Sequence, residues 1–412
     1  MLQQQAGILT TRSPEADGAG VASAGTAANS GRTAIRRLML RDFRGYAEAR
    51  LALAPTPVVL SGPNGAGKTN LLEALSFLAP GRGLRHARLG EVDRRLRDAE
   101  GALDGAAGGP WAVHARIDCG GDMIEIGTGR DRDTAGERRT VLIDGTPARA
   151  QGELARHLGV VWLTPAMDRL FLEGRSARRR FLDRLVYGLD PAHAQRVSAY
   201  EQAMRERARL LREGPMDPSW LAALEDTMAS TGVAVAAARS EAVQRLDEAC
   251  AQARGPFPAA RLGLRGEVEE LLVRLPALAA EDELRKRLGM LRAQDRESGS
   301  TALGPHRSDL EARHAQSGMP AVEGSTGEQK ALLIAIVLAH GRLQAALRGR
   351  APLLLLDEVV AHLDPGRRHG LFMALLDMGA QAWLTGTDAE LFEGLKGAAQ
   401  FFTVADARIA PA

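Results

Sequence analysis

The sequence predicts an α/β protein in which a mixed, mainly parallel sheet and an antiparallel β subdomain carry an inserted helical domain. The first observation is a glycine-rich loop, residues 62–69, that follows a short apolar strand and precedes a helical pattern. The second is an apolar run, residues 353–356, that ends in two acidic residues. The third is a long charged helical stretch between them, after which strands and helices alternate as in a doubly wound sheet.

The composition excludes several classes of protein. The 412 residues are enough for two or three domains, and a hydrophobic share of 45% is enough to bury a full core. A net charge of only +2 excludes a globally basic nucleic-acid binder, so local arginine clusters would have to make such contacts. Aromatic residues make up 4% of the chain, which argues against base stacking as the main way of binding single-stranded nucleic acid. No stretch is expected to span a membrane.

The two cysteines, Cys119 and Cys250, are far apart and have no C-x-x-C partner. They indicate a reducing, cytoplasmic compartment without structural zinc. Residues 1–33 are rich in Ala, Gly, Ser and Thr, which predicts a disordered N-terminal tail without a secretory signal.

Apolar alternation and turn residues predict the strands of the N-terminal half. These strands are expected at residues 35–40, 49–53, 57–60, 111–117, 123–126, 140–143 and 160–163. A helix is expected from Thr69 onward, because apolar residues recur on one of its sides. The strands at 111–143 read as an antiparallel unit, with turns at 119–122 and at 144–145.

Residues 172–300 are charged and rich in Ala, Leu, Arg and Glu, with helical spacing at 201–213 and 225–254. This stretch is too short for a long coiled coil and predicts a helical lid domain. Strand signals are expected to return only near Val322. The predicted division is a head formed by residues 34–171 and 301–412, with the lid, 172–300, inserted between its two parts.

The loop at residues 62–69 fits G-x-x-x-x-G-K-[ST] at every required position. Glycine suits such a loop because its backbone N–H groups must point inward at phosphate oxygens, and the following helix adds its positive end. We expect Lys68 to reach the β- and γ-phosphates of ATP and Thr69 to bind Mg²⁺. The predicted nucleotide contacts here are Gly62, Pro63, Asn64, Gly65, Ala66, Gly67, Lys68 and Thr69.

The acidic pair supplies the second half of the predicted chemistry. Asp357 follows four leucines, so its carboxylate would emerge at the end of a buried parallel strand and bind Mg²⁺ through water. Glu358 is the predicted catalytic residue that polarises the attacking water, with Asp357 and Lys68 beside it. The plainer alternative is that the pair only caps the next helix.

A third segment, Ser325-Thr326-Gly327-Glu328-Gln329, has the form of the signature of ABC-type ATPases. Ser325 and Glu328 form an S-x-x-E capping box, so a helix is expected to begin there. In an ABC-type ATPase this segment faces the phosphate held by a second subunit, which predicts a homodimer that forms on ATP. Ser325, Gly327 and Gln329 are therefore predicted nucleotide contacts, as is Asp364, which follows at the spacing of a D-loop. The alternative is a plain capped helix.

The order of these segments resembles the RecF family of bacterial DNA repair ATPases over nearly everything from Ala34 onward. The resemblance rests on six segments. They are Leu40-Arg41-Asp42-Phe43-Arg44-Gly45-Tyr46, residues 62–74, Arg178-Arg179-Arg180-Phe181-Leu182-Asp183, residues 200–211, Gly304-Pro305-His306-Arg307-Ser308-Asp309-Leu310, and Gly327-Glu328-Gln329-Lys330. It implies an ABC-type P-loop ATPase head with a short helical lid, using ATP and Mg²⁺. It also implies DNA as a partner, at duplexes and at single-strand/duplex junctions, and joint action with RecO and RecR to place RecA on gapped DNA.

The resemblance also suggests that Asn70 and Arg44 contact the nucleotide; the alternative for Arg44 is an exposed turn arginine. Two features depart from the family pattern. Many relatives carry two aspartates where this chain has Asp357-Glu358, which is closer to general ABC ATPases. Relatives commonly carry an acidic P-E-D-L where this chain has Pro165-Ala166-Met167-Asp168, which leaves Asp168 as the candidate γ-phosphate sensor. The strand end at 384–388 also lacks the switch histidine of many ABC ATPases, and His362 is interpreted as an interface or surface residue.

Two arginine clusters are candidate contacts to a DNA backbone. They are Arg82, Arg85 and Arg88, and Arg175, Arg178, Arg179 and Arg180. The alternative is that both are solvated or ion-paired helix surfaces.

Some of the same motifs occur in three other classes of protein. The motor subunit of an ABC transporter is the main alternative, but no segment resembles a surface that couples to a membrane domain. A small-molecule P-loop kinase would leave the signature helix unexplained. An SMC-type clamp would need long coiled coils, which the helical insert is too short to provide.

Overall fold

The computed structural model describes residues 32–94, 110–131, 138–213, 217–252 and 255–412. Residues 1–31 of the predicted tail lie outside the described residues, and Thr33 already belongs to the first strand.

The strands are β1 (Thr33–Phe43), β2 (Tyr46–Ala52), β3 (Val58–Ser61), β4 (Ala112–Cys119), β5 (Met123–Asp131), β6 (Arg138–Ile143), β7 (Thr146–Pro147), β8 (Val160–Leu163), β9 (Ala260–Arg265), β10 (Asp309–His314), β11 (Leu353–Leu356), β12 (Ala382–Gly386), β13 (Gln400–Ala405) and β14 (Arg408–Pro411). The helices are α1 (Lys68–Ser76), α2 (Leu154–His157), α3 (Arg175–Leu189), α4 (His193–Glu213), α5 (Pro218–Ala251), α6 (Glu267–Arg274), α7 (Ala277–Met290), α8 (Arg292–Ser298), α9 (Thr326–Arg348) and α10 (Pro365–Asp377).

The head contains two six-stranded sheets. The antiparallel sheet has the order β2-β1-β4-β5-β6-β7, and the second has the order β14-β13-β3-β12-β11-β8. In the second sheet the strands from β13 to β8 run parallel, and β14 pairs with β13 in the antiparallel direction. Every strand predicted in the N-terminal half is present, with boundaries that differ by a few residues.

The parallel sheet is buried on both faces, as its continuous apolar runs require. Leu353 and Leu355 of β11 face a core shared with α1 and the antiparallel sheet. Leu354 and Leu356 face a core shared with α3, α9 and α10. Because side chains alternate along a strand, an unbroken run of leucines fills both cores at once.

The helical lid is built around α5, which packs against α4 and α7 through a separate apolar core. The expectation that strands return only near Val322 is wrong in two respects. β9 lies within the stretch expected to be helical and pairs with β10. Val322 itself lies in a short 3-10 helix, Ala321–Glu323. The sequence of β9, ARLGLR, has no β-branched residue, so its strand form depends on pairing with a distant segment.

The resemblance segments at 178–183 and 304–310 bind each other and fix the lid to the head. Arg178 forms a bidentate ion pair with Asp309, with contacts of 2.7 and 2.9 Å. Buried Arg239 of α5 donates to both carboxylate oxygens of Asp183 and to the backbone oxygen of Pro305. The lid is therefore held by charge-assisted hydrogen bonds with little exposure to water.

By length and composition, α9 could cross a membrane, contrary to the expectation that no stretch would. However, 72% of its most apolar window is buried in the protein. Its apolar side chains belong to the core beneath the parallel sheet, so the helix is explained by its place in the head.

Candidate nucleotide site

The parallel sheet brings the predicted motifs to one edge. The glycine-rich loop follows β3, and Asp357 follows β11, which lies between β12 and β8. Because parallel strands end at the same edge of a sheet, segments that are hundreds of residues apart meet there.

The glycine-rich loop has the backbone shape that its glycines predict. Gly62 has φ 148°, and a Cβ atom there would lie 2.1 Å from the backbone oxygen of Val404. Gly67 has φ 112°, and its backbone oxygen accepts a hydrogen bond of 3.1 Å from the hydroxyl of Tyr46. No side chain larger than hydrogen fits at Gly62 without moving backbone.

Lys68 begins α1 and is buried. Its ammonium donates to the backbone oxygens of Gly62 at 2.6 Å and Pro63 at 2.9 Å. Burial lowers the pKa of Lys68, and the negative charges of Glu358 and Asp357 oppose that shift. The ammonium is thus held inside the loop, close to both predicted acidic residues.

Asp357 accepts hydrogen bonds from two threonines through one oxygen. The hydroxyl of Thr69 lies 3.1 Å from Oδ1 of Asp357, and the hydroxyl of Thr385 lies 2.8 Å from the same atom. Burial raises the pKa of Asp357, and the two hydroxyl groups oppose the rise. The threonines therefore fix the rotamer of the carboxylate and stabilise its charge.

Glu358 is the residue where the chain leaves β11. It has φ 51°, in the left-handed region, and its N–H donates to the hydroxyl of Thr385 at 2.9 Å. A non-glycine residue in this region carries backbone strain, which the surrounding structure must support. The strained turn directs Glu358 away from the path of the strand and next to Asp357.

The pair Thr69 and Asp357 suits a small hard cation. A hydroxyl and a carboxylate are oxygen donors, which Mg²⁺ prefers, and Mg²⁺ sites near phosphates commonly use one carboxylate plus phosphate and water oxygens. Among the described residues, no group of three or more His, Cys, Asp or Glu side chains could hold a metal. The donors present therefore fit a metal that nucleotide phosphates help to bind.

Arg44 is not an exposed turn arginine in this structure. It lies in the turn between β1 and β2 with φ 52°, and it forms a bidentate ion pair with fully buried Glu73 of α1 at 2.7 and 2.9 Å. Arg85 also binds Glu73, and it donates to the side-chain oxygen of Asn70 at 2.8 Å. Arg44 and Asn70 are thus joined through Glu73 and Arg85 in one network beside the glycine-rich loop. Their contact with the nucleotide stays a prediction.

The signature segment caps α9 as expected. The hydroxyl of Ser325 accepts from the N–H of Glu328 at 3.3 Å, and Glu328 accepts from the N–H of Ser325 at 2.8 Å. A Cβ atom at Gly327 would meet nothing within 4 Å, so the start of the helix is open. Gln329 is buried and donates to Gly324, and its side-chain oxygen has no hydrogen-bond partner.

The structure does not bring the signature to the loop of its own chain. Ser325, Gly327, Gln329 and Asp364 are absent from the lining of the cavity that Thr69, Asp357 and Glu358 share. Asp364 instead caps α10 by accepting from the N–H of Arg367 at 2.9 Å. These residues therefore do not share that cavity with Thr69, Asp357 and Glu358 of the same chain.

Asp168, the candidate γ-phosphate sensor, is 3.3 Å from the ammonium of Lys330 on α9. This ion pair links the loop after β8 to the signature helix.

His362 is exposed, in agreement with its interpretation as a surface residue.

The two arginine clusters divide into paired and unpaired members. Arg178 is bound to Asp309, and Arg179 donates to the backbone oxygen of Ser308. Arg85 belongs to the Glu73 network. The exposed members are Arg82, Arg85, Arg88, Arg175 and Arg180. Of these, Arg85 is paired with Glu73, and Arg175 is 3.5 Å from Asp309. The ion-paired alternative thus holds for part of each cluster.

Sequence reasoning missed Thr385, Tyr46 and Glu73. The strand that carries Thr385 was predicted, but the expected switch residue was a histidine. A hydroxyl residue near the carboxyl end of a parallel strand was the available signal for Thr385. Glu73 was hidden because its role depends on two arginines that only the tertiary fold brings to α1.

Comparison with known proteins supports a single family. The family model described as RecF/RecN/SMC N terminal domain matches residues 34–409. DNA replication and repair protein RecF of Mesorhizobium japonicum is 49% identical over 381 residues, covering 92% of this chain and 98% of that protein. The protein of the same name from Rhizobium rhizogenes is 51% identical over 373 residues, covering 90% of this chain and 96% of that protein.

Solved structures agree on the fold. The structure of the recombination mediator protein RecF-ATPrS in the RecFOR pathway has a TM-score of 0.78, with 20% sequence identity. The match covers 93% of this chain and 100% of that one. The corresponding RecF-ATP structure has a TM-score of 0.75. The expected ABC-type head with a helical lid is confirmed, and the transporter alternative is not favoured.

Proposed function

Because this chain belongs to the RecF family, we propose that it is an ATP-dependent DNA-binding protein of recombinational repair and replication restart. The single observation that carries the proposal is the constellation of Lys68, Thr69, Asp357 and Glu358 at one edge of the sheet. It combines a phosphate-binding loop with a metal-binding carboxylate and a neighbouring general base.

We propose that ATP binds along the loop at residues 62–70. Its phosphates would take the place of the two backbone oxygens as partners of the Lys68 ammonium. Thr69 and Asp357 would hold Mg²⁺, which supplies charge neutralisation of the phosphates when it is bound. Thr385 positions Asp357 for this role, because its hydroxyl donates to the carboxylate.

Glu358 is the proposed base in hydrolysis. Its carboxylate would accept a proton from water as the water oxygen attacks the γ-phosphorus and the bond to the β,γ-bridging oxygen breaks. The products are ADP and free phosphate. We propose that this turnover is weak and that DNA stimulates it.

The second half of the site would come from a second copy of the chain. Ser325 and Gly327 lie at the open start of α9, where N–H groups and the helix dipole favour an anion. Because they lie away from the loop of their own chain, an ATP-dependent homodimer would complete the site. We further propose, from the RecFOR pathway of the structural relatives, that the dimer works in the cytoplasm with RecO and RecR to place RecA on gapped DNA.

The test is Glu358→Gln, which keeps the size of the side chain but removes the base. The variant should bind ATP, dimerise and remain longer on gapped DNA, while ATP turnover falls by about a hundred-fold or more. The matched control is Glu390→Gln, an exposed glutamate after the next strand. Turnover at the parent rate in Glu358→Gln would show that another group positions the water.

A further inference from the structure

Two cavities of about 510 and 910 Å³ lie next to the candidate nucleotide site. The smaller one is lined at the catalytic edge by Thr69, Asp357 and Glu358. The larger one lies between the head and the lid helices α3 and α4. Both are lined by His86, Trp162, Arg180 and Arg184. These four residues form the junction between the cavities.

Arg184 is a buried cation at the junction, and it forms no ion pair with any residue that the structure describes. Its guanidinium lies 4.2 Å from the ring centroid of Trp162 and 5.5 Å from that of Phe181. Its only polar contact among the described residues is the sulfur of Met167 at 3.6 Å, and its Nε has no hydrogen-bond partner. A buried cation without an anion is costly, and burial lowers the pKa of Arg184 to about 9.

Two further arginines lie at or near the junction, because Arg180 lines both cavities and Arg82 lines the larger one. Partial loss of solvation lowers the pKa of His86, and the positive charges of Arg184, Arg180 and Arg82 lower it further. Within the described part of the chain, neither Arg82 nor Arg180 forms an ion pair.

The carboxylates that line the cavities do not neutralise this charge. Asp183 is held by Arg239 and His193, and Glu201 lies 3.5 Å from Arg205. Glu173 is exposed and is not among the charges that act on His86. Asp357 and Glu358 belong to the catalytic end of the smaller cavity. Among the described residues, Arg180 and Arg184 at the junction and Arg82 in the larger cavity therefore have no carboxylate partner.

We propose that the junction is a second anion site, which holds the inorganic phosphate released by hydrolysis between Arg82, Arg180, Arg184 and His86. The proposal rests on the ATPase function proposed above, because that reaction supplies the phosphate. Guanidinium groups bind phosphate oxygens through paired N–H donors, and three of them match a dianion. The smaller cavity joins the place where phosphate forms to the place where it would bind.

The burial of Arg184 favours a free phosphate ion over the phosphates of a DNA backbone as the ligand. Its side chain is 9% exposed and lies between Trp162 and Phe181. A free phosphate ion can enter the cavity and reach this guanidinium. The backbone of a DNA duplex is a wide polymer that can approach only the exposed Arg82 and Arg180.

The experiment measures phosphate binding to protein whose loop is already filled with ADP and Mg²⁺. Inorganic phosphate is titrated and followed by calorimetry and by phosphorus NMR. The double variant Arg82→Gln/Arg180→Gln is compared with Arg88→Gln/Arg175→Gln, which removes two charges from the same clusters at residues that line neither cavity. The dissociation constant should rise about ten-fold or more in the first pair and stay within about two-fold in the second.

A third variant, Arg184→Met, keeps an unbranched apolar stem against Trp162 and should also weaken phosphate binding. Its thermal unfolding is recorded first, so that a folding defect is not taken for lost binding. The proposal is overturned if the ADP-loaded parent shows no saturable phosphate binding, or if both double variants weaken it equally.

A loss of duplex DNA affinity confined to Arg82→Gln/Arg180→Gln, without phosphate binding by the parent, would assign these cations to nucleic acid and reject the proposal. ATP turnover of the parent is measured in the same preparation. Phosphate binding without turnover would reject the proposed function, whereas turnover without phosphate binding would reject only the anion site.

Discussion

The hydroxyl of Thr69 lies 3.1 Å from Oδ1 of Asp357, although 288 positions separate the two residues in the chain. One follows the phosphate-binding loop and the other ends a buried strand. Their contact exists because β3 and β11 end at the same edge of one parallel sheet, with only β12 between them. The predicted ligands of Mg²⁺ therefore lie within hydrogen-bonding distance of each other.

Removal of the Thr385 hydroxyl should take one hydrogen bond from Asp357 and one from Glu358. Thr385→Val keeps the side-chain shape but leaves Asp357 without one donor and the N–H of Glu358 without its acceptor. We expect unfolding to become easier by about 1–3 kcal/mol, because a buried polar group loses its partner. ATP turnover should fall on the order of ten-fold.

The control for Thr385→Val is Thr387→Val, which changes an exposed threonine two residues later. Chemical denaturation and a steady-state ATPase assay measure the two effects. Unchanged turnover in Thr385→Val would mean that the hydroxyl does not position Asp357 or Glu358 for the reaction.

The composite site predicts two different defects. Ser325→Arg should bind ATP as a monomer but fail to dimerise, because a large cation replaces a small hydroxyl at the open start of α9. Lys68→Ala should already fail to hold ATP, because it loses the charge on the phosphates. Sedimentation with ATP measures both, and Ser317→Arg, at an exposed loop serine, is the control.

A mixture of the two variants tests whether the residues act from different chains. A heterodimer contains one intact site, formed by Lys68 of the Ser325→Arg chain and Ser325 of the Lys68→Ala chain. Partial recovery of dimers in the mixture would support the composite site. If Ser325→Arg alone formed ATP-dependent dimers normally, the composite site would be rejected. The segment at residues 325–329 would then be only the capped start of a helix.

Duplex DNA binding should depend on ATP and weaken steeply with salt. The chain has few aromatic residues and a net charge of +2, so local arginines must contact phosphates. Each neutralised phosphate contributes about −0.9 to the slope of log affinity against log salt. Affinity measured across a salt series with ATP and with ADP tests this, and equal affinities or a flat slope would contradict it.

Two histidines with lowered pKa values, half-buried His306 and buried His340, should make the fold sensitive to mild acid. Burial lowers the pKa of His306 and of His340 to about 4. Each folded-state value lies below the unfolded value of about 6.5, so protonation favours unfolding. Their contribution to stability is complete above pH ~6.5 and declines as the pH falls toward 4, by about 1.4 kcal/mol per pH unit for each histidine at most.

The measurement is the free energy of unfolding at pH 7 and at pH 5, by chemical denaturation. His340→Gln should reduce the difference between the two pH values, whatever its effect at pH 7. His362→Gln, at an exposed histidine, is the control. An unchanged pH difference in His340→Gln would show that the buried ring does not titrate on unfolding.

Local sequence determined much of this protein. The glycines of residues 62–69 set the shape of the loop, because only glycine tolerates the φ of 148° and the close approach of backbone at Gly62. The unbroken run of four leucines in β11 predicted a buried parallel strand, with Asp357 at its end. The capping box at Ser325 and Glu328 fixed the start of α9. These features depend on period, backbone freedom and short-range hydrogen bonds, which a sequence displays directly.

Tertiary structure alone decided the partners of the charged residues. The sequence cannot show that Arg178 binds Asp309, that Arg44 and Arg85 share Glu73, or that Thr385 reaches Asp357. It also cannot show that β9 becomes a strand. Each of these depends on which distant segment lies alongside. The strength of a charge pair or a strand pair is set by distance and burial, and both are fixed only when the two sheets and the lid pack together.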